Sequence, residues 1–266
     1  MRHFQQFCEN SLDLIQCIAT DLDGTLTHAG RFTPALLKAL EALTNRDLTV
    51  VIVTGRSAGW VSGLVSYLPI AGAIAENGGL YFPGKAAEPI WVSGAGKFGN
   101  LEEVTAHRQQ LAAQFRALQA EFPQIQESTD NRFRLTDWTF DVQGLSQSEL
   151  ATMGDRCQEA GWGFTYSTVQ CHIRPQGQDK AIALEWVLHH SFPHLNREQV
   201  LTIGDSPNDA SLFDPAHFPH SVGVANVRHY LDQLPHPPAY VTTGSEVDGF
   251  CEIVTRLINA RSRQGF

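Results

Sequence analysis

Two aspartates, Asp21 and Asp23, stand two positions apart in the segment DLDGTLT, directly after an apolar run. Like charges at that distance repel one another, and each carboxylate disfavours ionisation of the other. A hard divalent cation with oxygen ligands removes this repulsion, and Mg²⁺ binds through one or two carboxylates together with waters and substrate phosphate. Aspartates are also common in turns and at helix N-caps, so the pair alone does not establish a site.

Groups of the same kind end other apolar segments of the chain. Thr54 ends the segment LTVVIVT, and Lys180 opens a segment with a helical pattern. The segment QVLTIGDSPND ends in Asp205, Asn208 and Asp209. Because ligands of a doubly wound sheet bind at the carboxyl ends of its strands, we expect these groups to meet Asp21 at one edge.

This set of groups is suited to phosphoryl transfer. Asp21 can attack phosphorus as an aspartyl nucleophile, and Asp23 can protonate the leaving oxygen and later activate water. With Mg²⁺ on one side of the phosphoryl group, Lys180 and backbone N–H groups can neutralise the remaining oxygens.

The elements that position these groups alternate between strands and helices. Strands are predicted at 14–20, 48–54 and 70–75, and helices at 32–43 and 58–68; Thr33 and Pro34 suit the N-cap and the first helical position. Strands that are apolar on both faces indicate a parallel sheet covered by helices on both sides. The predicted fold class is α/β, a doubly wound, mainly parallel, Rossmann-like core.

The pattern changes after residue 82 and returns near residue 176. In between, the sequence predicts a helix at 100–122, a strand at 131–142, a helix opening with a capping box from Ser146 to Glu149, and one or two strands at 163–175. We therefore predict a core domain of residues 1–82 and 176–266 and an inserted α/β cap domain of residues 83–175. Hinges are expected near 82–86 and 174–178, where proline and glycine occur.

The motifs DLDGTLT, VTGRS, GQDKA and IGDSPND resemble, in order and character, the four motifs of the haloacid dehalogenase-like superfamily of phosphatases. ENGG, GVANV and SEVDGF resemble further motifs of its Cof-type branch. A large α/β cap between the second and third motifs is the arrangement of the sugar-phosphatase-like class. The resemblance implies catalysis by Asp21 as nucleophile, Asp23 as acid and base, and Lys180 as charge clamp. It further implies phosphate or substrate binding by Thr54, Gly55, Arg56 and Asn208. Mg²⁺ would be coordinated by Asp21, by the main-chain oxygen of Asp23 and by Asp205, with Asp209 either as a direct ligand or as a support for the ligands.

The function expected on this basis is Mg²⁺-dependent hydrolysis of a small phosphorylated metabolite through an aspartyl-phosphate. A sugar phosphate is favoured over phosphoglycolate or a nucleotide, by analogy with the cap class. One alternative is a phosphomutase or phosphotransferase with the same motifs. Another is a non-catalytic phospho-acceptor regulator of the receiver type, although Asp23 and a large cap serve little purpose there.

Composition limits the partners. The 266 residues include 28 acidic and 19 basic side chains without a Lys/Arg-rich block, so neither nucleic acid nor an anionic membrane is indicated. The five cysteines are scattered without a CxxC pair, and the eleven histidines follow no metal-site spacing. No apolar run reaches the length of a membrane span and the first residues lack a signal-peptide pattern, so a cytoplasmic protein is expected. The oligomeric state is left open.

Several cap residues are candidates for contact with substrate. They are His172, Arg174, Arg132, Arg134, Asp137 and Trp138. The same pattern is equally compatible with a solvated face of the cap sheet.

Overall fold

The computed structural model describes residues 1–84, 88–92 and 100–262, which form two sheets and seven α-helices. The strands are β1 (Arg2–His3), β2 (Cys17–Thr20), β3 (Thr49–Val53), β4 (Gly72–Ala75), β5 (Leu80–Pro83), β6 (Ile90–Trp91), β7 (Trp138–Asp141), β8 (Trp162–Tyr166), β9 (Gln170–Pro175), β10 (Val200–Gly204), β11 (His220–Gly223) and β12 (Tyr240–Val241). The α-helices are α1 (Glu9–Leu14), α2 (Pro34–Thr44), α3 (Ala58–Tyr67), α4 (Leu101–Glu121), α5 (Gln147–Glu159), α6 (Lys180–Ser191) and α7 (Glu246–Ser262).

The larger sheet has the order β1-β12-β11-β10-β2-β3-β4-β5-β6. In this spatial order, each strand from β1 through β12, β11, β10, β2 and β3 to β4 pairs in parallel with the next. The two pairings at the other edge, β4 with β5 and β5 with β6, are antiparallel. β2 is buried on both faces: Ile18 packs in the cluster that holds α2, α3 and α7, whereas Cys17 and Ala19 pack with α6. The predicted doubly wound α/β class is therefore confirmed.

The smaller sheet, in the order β7-β9-β8, is antiparallel. Its apolar face packs on α4 and α5 through a separate cluster that includes Leu111, Phe115, Met153 and Ile173. The predicted capping box from Ser146 to Glu149 opens α5. Thr33 likewise caps α2, with Pro34 in its first turn.

Three sequence predictions need correction. The predicted strand at 14–20 begins only at Cys17, because the residues before it form α1, which packs on α7. In the predicted strand at 131–142 only β7 is a strand, since the preceding residues bind the core instead of pairing with the cap sheet. The boundary at 82/83 is too early, because β6 pairs with β5 in the larger sheet.

The second crossing between core and cap follows β9, where Gly177 has a positive φ of 80°. The first predicted hinge, at 82–86, lies partly outside the described residues. Among the helices that are described, none combines the length and the apolar character that crossing a membrane requires.

Glu76 connects the two sheets. This buried core residue has a positive φ of 53° and follows β4. Its carboxylate accepts from the backbone N of Ala58, which starts α3, at 2.8 Å, and from the backbone N of Leu135 and Thr136 in the cap at 3.0 and 2.6 Å. The Thr136 hydroxyl adds a donor at 2.7 Å. One side chain therefore satisfies backbone donors of both domains.

We expect Glu76→Ala to lower the free energy of unfolding by about 2–4 kcal/mol, because it leaves several buried donors without an acceptor. Urea unfolding followed by circular dichroism measures the loss. The matched control is Glu149→Ala, since Glu149 also accepts a backbone N–H, from Ser146, but on the exposed surface. The control should lose no more than about 1 kcal/mol, and an equal loss in both variants would contradict the role of Glu76.

Candidate active site

Three buried carboxylates meet at the carboxyl edge of the larger sheet. Asp21 follows β2, Asp205 follows β10, and Asp209 lies in the 3-10 helix Pro207–Phe213. The parallel register places Thr20 beside both Ile52 and Ile203, so the residues that follow these strands emerge together. One oxygen from each carboxylate lies within 4.8 Å of the others.

Lys180 supplies the ammonium group within this cluster. Its side chain is fully buried, and Nζ donates to Asp21 Oδ1 at 2.6 Å and to Asp209 Oδ1 at 2.7 Å. Burial opposes its charged form, but the carboxylates of Asp209 and Asp21 outweigh that effect and raise the pKa of Lys180. The lysine remains charged and offsets one of the three carboxylates.

The remaining repulsion appears in the pKa values of two aspartates. Burial and the neighbouring carboxylate of Asp209 raise the pKa of Asp21 to about 7, although Lys180 acts in the opposite direction. Burial, followed by Asp21 and Asp209, raises the pKa of Asp205 well above its ordinary value. Without a further positive charge, the cluster therefore holds its protons more tightly than isolated aspartates do.

The residues present fit a magnesium ion. Their donor atoms are oxygens, which Mg²⁺ prefers, and burial together with neighbouring carboxylates raises the pKa values of Asp21 and Asp205. Asp209 differs from the other two, because Oδ1 accepts from Lys180 and Oδ2 accepts from the backbone N of Asp205 and Ser206. Asp21 and Asp205 are thus the side chains best placed to hold the ion, with Asp209 supporting the loop.

Asp205 is held by groups outside its own loop. Thr25 Oγ1 donates to Oδ1 at 3.2 Å and Asn226 Nδ2 donates to Oδ2 at 2.8 Å. Gly24 has a φ of +81°, and a Cβ there would lie 2.4 Å from Asp205 Oδ2. The glycine of DLDGT is therefore required by the close approach of this carboxylate. From the sequence, Asn226 is identified only as part of the motif GVANV, and no role is predicted for it.

Asp23 lies outside the carboxylate cluster and pairs with Arg56. The guanidinium donates from Nε to Oδ2 at 2.7 Å and from NH2 to Oδ1 at 2.6 Å, and both side chains are partly exposed. Arg56 also lies over the ring of Trp60, 5.4 Å from its centroid. A local hydrogen bond closes the turn of the motif VTGRS: Thr54 Oγ1 accepts from the backbone N of Arg56 at 3.1 Å.

Asn208 donates to Asn77 Oδ1 at 3.1 Å and accepts from Ser206 Oγ at 2.8 Å. Asn77 is buried, and its own Nδ2 has no hydrogen-bond partner among the described residues. Asn77 is not among the site residues that the sequence predicts. The motif ENGG contained the available information, since Glu76 and Asn77 both have positive φ values of 53°.

The cap covers this site. Core residues Asp21, Asp23 and Thr54 share a cavity with residues of β9 and of the hairpin that precedes it, namely Ser167, Val169, Gln170 and His172. The cavity has a volume of about 20 Å³, which is room for about one water molecule. Gly55, Arg56 and Asn208 complete its lining.

The structure therefore brings all nine predicted core site residues to one place. Of the cap candidates, His172 lines the cavity, and Arg134 and Asp137 are buried beside it. Arg174 lines a different cavity, Arg132 is exposed, and Trp138 packs inside the cap against Phe115 and Arg108.

Comparison with known proteins agrees with this arrangement. A family model for haloacid dehalogenase-like hydrolases matches residues 18–90 and 100–249. A phosphoglycolate phosphatase from Methanothrix thermoacetophila is 25% identical over 249 residues, which cover 92% of this chain and 97% of the relative.

Two solved structures share the fold at lower sequence identity. A crystal structure of protein 0175 from Thermoplasma acidophilum has a TM-score of 0.71 at 21% identity and covers 91% of this chain and 98% of its own. The sucrose-phosphatase of Synechocystis sp. PCC6803, solved with sucrose and phosphate, has a TM-score of 0.67 at 17% identity. The match covers 91% of this chain and 98% of the sucrose-phosphatase chain.

The fold and the site together define an α/β enzyme core with an inserted cap. The chain belongs to the haloacid dehalogenase-like hydrolases. The prediction of this family from the four motifs is confirmed.

The raised pKa of Asp21 predicts how stability depends on pH in the absence of metal. Between about pH 4 and pH 7 the folded protein holds a proton on Asp21 that the unfolded chain has lost. This contribution to stability is present at low pH and is lost as the pH rises through about 7. With a chelator present to remove metal ions, Asp21→Asn should therefore have a higher melting temperature than the wild type at pH 8 but not at pH 5.

Melting temperatures at the two pH values measure this difference. Adding Mg²⁺ at pH 8 should raise the melting temperature of the wild type more than that of Asp21→Asn, because the ion binds the folded state. A difference between variant and wild type that is the same at both pH values would contradict the assignment of the raised pKa to Asp21.

Proposed function

We propose that this protein is a Mg²⁺-dependent phosphomonoesterase that acts on a small phosphorylated metabolite through an aspartyl-phosphate on Asp21. The observation that carries the proposal is the contact of Lys180 Nζ with Asp21 Oδ1 at 2.6 Å, beside a cavity lined by Asp23 and Thr54. Membership in the hydrolase family and relatives named as phosphatases support the reaction class.

In the first half-reaction, a carboxylate oxygen of Asp21 attacks phosphorus and the bond from phosphorus to the ester oxygen breaks. The leaving oxygen takes a proton from the Asp23 carboxyl group and departs as an alcohol. Lys180 and backbone N–H groups near Thr54 stabilise the phosphoryl oxygens. When bound at Asp21 and Asp205, Mg²⁺ would offset the negative charge shared by the carboxylates and the phosphoryl group.

In the second half-reaction, the Asp23 carboxylate takes a proton from water, and the oxygen of that water attacks phosphorus. The bond between phosphorus and Asp21 breaks, which releases inorganic phosphate and restores the carboxylate. Water as the acceptor distinguishes this hydrolysis from transfer to a sugar hydroxyl.

The ion pair between Asp23 and Arg56 has to separate before Asp23 can act as an acid. The guanidinium donates two hydrogen bonds that occupy both carboxylate oxygens of Asp23. Substrate phosphate competes for the same guanidinium, and its arrival frees the carboxyl oxygens of Asp23 to face the leaving group. This exchange would give Arg56 the phosphate-binding role that the sequence predicts.

The cap supports our proposal for the class of substrate. The volume of the cavity requires the cap to move for a substrate to enter, and a small ester fits this requirement better than a polymer. Among similar proteins, one is a phosphoglycolate phosphatase and another is a sucrose-phosphatase solved with sucrose and phosphate. We propose a sugar phosphate or a related phosphorylated polyol.

Asp21→Asn should lower kcat by about 10³-fold or more on any ester, because the amide is a poor nucleophile of similar size. Phosphate release from p-nitrophenyl phosphate with Mg²⁺ measures the loss, and acid quenching with ³²P-labelled substrate detects the phosphoenzyme in the wild type. Asp232→Asn, a change at an exposed aspartate, is the matched control and should retain full activity. Comparable activity in Asp21→Asn and the wild type would assign the nucleophile elsewhere.

Asp23→Asn should affect esters according to their leaving group. An alkyl alcohol needs protonation as it leaves, whereas p-nitrophenolate does not, so phosphorylation of Asp21 should slow by about 10²-fold more with the alkyl ester. Pre-steady-state bursts separate this step from hydrolysis of the intermediate. Equal slowing with both esters would remove Asp23 as the general acid.

A further inference from the structure

The cap contributes one imidazole to the cavity above Asp21. His172 in β9 is 1% exposed and lines the cavity together with Asp21, Asp23 and Thr54. Its ring lies against the phosphate-binding turn, because a Cβ built on Gly55 would be 3.0 Å from His172 Cε1. The mechanism proposed above uses core residues only and leaves this ring without a role.

Buried hydrogen bonds fix the position of the ring. His172 Nδ1 lies 2.8 Å from Asp137 Oδ2, and Asp137 also accepts from Arg134 NH1 at 3.0 and 3.1 Å. Arg134 NH1 further donates to the carbonyl oxygen of Gly55 at 2.9 Å. The imidazole is therefore held relative to the turn that follows Thr54.

These contacts also determine which nitrogen carries the proton. Burial opposes ionisation of Asp137, but Arg134 and His172 outweigh it and lower the pKa of the carboxyl group. An ionised carboxylate only accepts hydrogen bonds, so Nδ1 carries a proton and donates it. Burial lowers the pKa of His172, even though Asp137 acts in the opposite direction. The neutral ring then has its lone pair on Nε2, for which the described residues supply no hydrogen bond.

The space next to the cavity is acidic. A groove of about 560 Å³ lies between the start of α3 and the cap, and shares Arg56 and Gln170 with the cavity lining. Three carboxylates, of Glu127, Asp130 and Asp141, line this groove. Asp130 is paired with Arg134, and the guanidinium of Arg56 is taken up by Asp23 or, in the mechanism proposed above, by the substrate phosphate. The carboxylates of Glu127 and Asp141 then set the charge of the groove. A leaving group that extends into the groove therefore meets more negative than positive charge.

We propose that His172 selects esters whose alcohol part carries a hydroxyl group near the phosphate and disfavours esters that carry a carboxylate there. A hydroxyl group can donate to Nε2, whereas a carboxylate has no proton to donate and approaches a lone pair beside an acidic groove. The proposal rests on the phosphomonoesterase function proposed above and adds a property of its substrate. Asp137 and Arg134 act through His172 as positioning residues.

Three esters of two-carbon alcohols test this selection: ethyl phosphate, 2-hydroxyethyl phosphate and 2-phosphoglycolate. They differ at the terminal group, which is methyl, hydroxymethyl or carboxylate. With Mg²⁺, the kcat/KM of the wild type should be about tenfold or more higher for 2-hydroxyethyl phosphate than for ethyl phosphate, and lowest for 2-phosphoglycolate. In His172→Leu, the ratio between the first two esters should fall to within about threefold.

Two further variants serve as controls. His217→Leu removes an imidazole that also pairs its Nδ1 with a carboxylate, that of Glu185 at 3.0 Å, but on a partly exposed surface. It should leave all three values of kcat/KM unchanged. His172→Gln retains a polar group that can accept a hydrogen bond, and it should keep more of the preference than His172→Leu. It also provides the test if the leucine variant does not fold.

The possible outcomes separate the two proposals. A wild type that prefers 2-phosphoglycolate over 2-hydroxyethyl phosphate overturns the selection by Nε2. Equal losses on all three esters in the folded His172 variants assign the residue to cap packing alone and also overturn it. Failure of the wild type to hydrolyse any ester with Mg²⁺ overturns the phosphomonoesterase function itself, whereas hydrolysis without discrimination overturns only the inference about His172.

Discussion

Mutual repulsion among Asp21, Asp205 and Asp209 is the constraint on which the architecture of the site depends. Three carboxylates with oxygens within 4.8 Å are buried with the ammonium of Lys180, which contacts two of them. Such a cluster cannot be maintained by packing, since burial strengthens the repulsion. The protein therefore fixes each carboxylate with hydrogen-bond donors and leaves an excess of negative charge that a bound cation would offset.

The supporting donors explain motifs far from the catalytic residues in the chain. Asn226 donates to Asp205 Oδ2 and to the carbonyl oxygen of Gly24, and its own Oδ1 accepts from the backbone N of Glu246. Glu246 begins α7 with a φ of 52°. The motifs GVANV and SEVDGF thus form a support that holds the turn after β2 against the turn after β10.

The core could be predicted from the sequence because its determinants are local. β2, β3 and β10 are short apolar runs buried on both faces, and each ends in the polar group that the site uses. The parallel order of the sheet then brings Asp21, Thr54 and Asp205 together without further information. The four motifs, in their order, predict the family, and the resemblance to the family predicts where the cap is inserted.

What could not be predicted depends on contacts between distant segments. The residues before β7 have the polar and aromatic alternation of a strand, but their backbone donors bind Glu76, about sixty positions earlier in the chain. The role of Arg56 is hidden for the same reason, since the sequence does not show that Asp23 occupies its guanidinium. β6 falls within the predicted cap, because a strand of two residues carries too weak a periodicity to show which sheet it joins.

The contacts between core and cap differ in strength along the interface. Near the second chain crossing, Glu76 accepts buried donors from the cap, and Gln178 donates to the carbonyl oxygen of Glu76 and to Thr136 Oγ1. At the other end of the cap sheet, Tyr166 Oη donates to Gln233 Oε1 at 3.0 Å in a partly exposed position. Breaking the buried contacts leaves donors unsatisfied, whereas water replaces the exposed one at little cost. If the cap moves as the proposed function requires, this distribution favours a pivot close to Glu76, with the hairpin between β8 and β9 lifting from Asp21. Arg134 would move with the cap, so its hydrogen bond to the carbonyl oxygen of Gly55 would form only in the closed position. Closure would then align His172 with the turn after Thr54, which would couple the proposed recognition of the alcohol part to the proposed chemistry at Asp21.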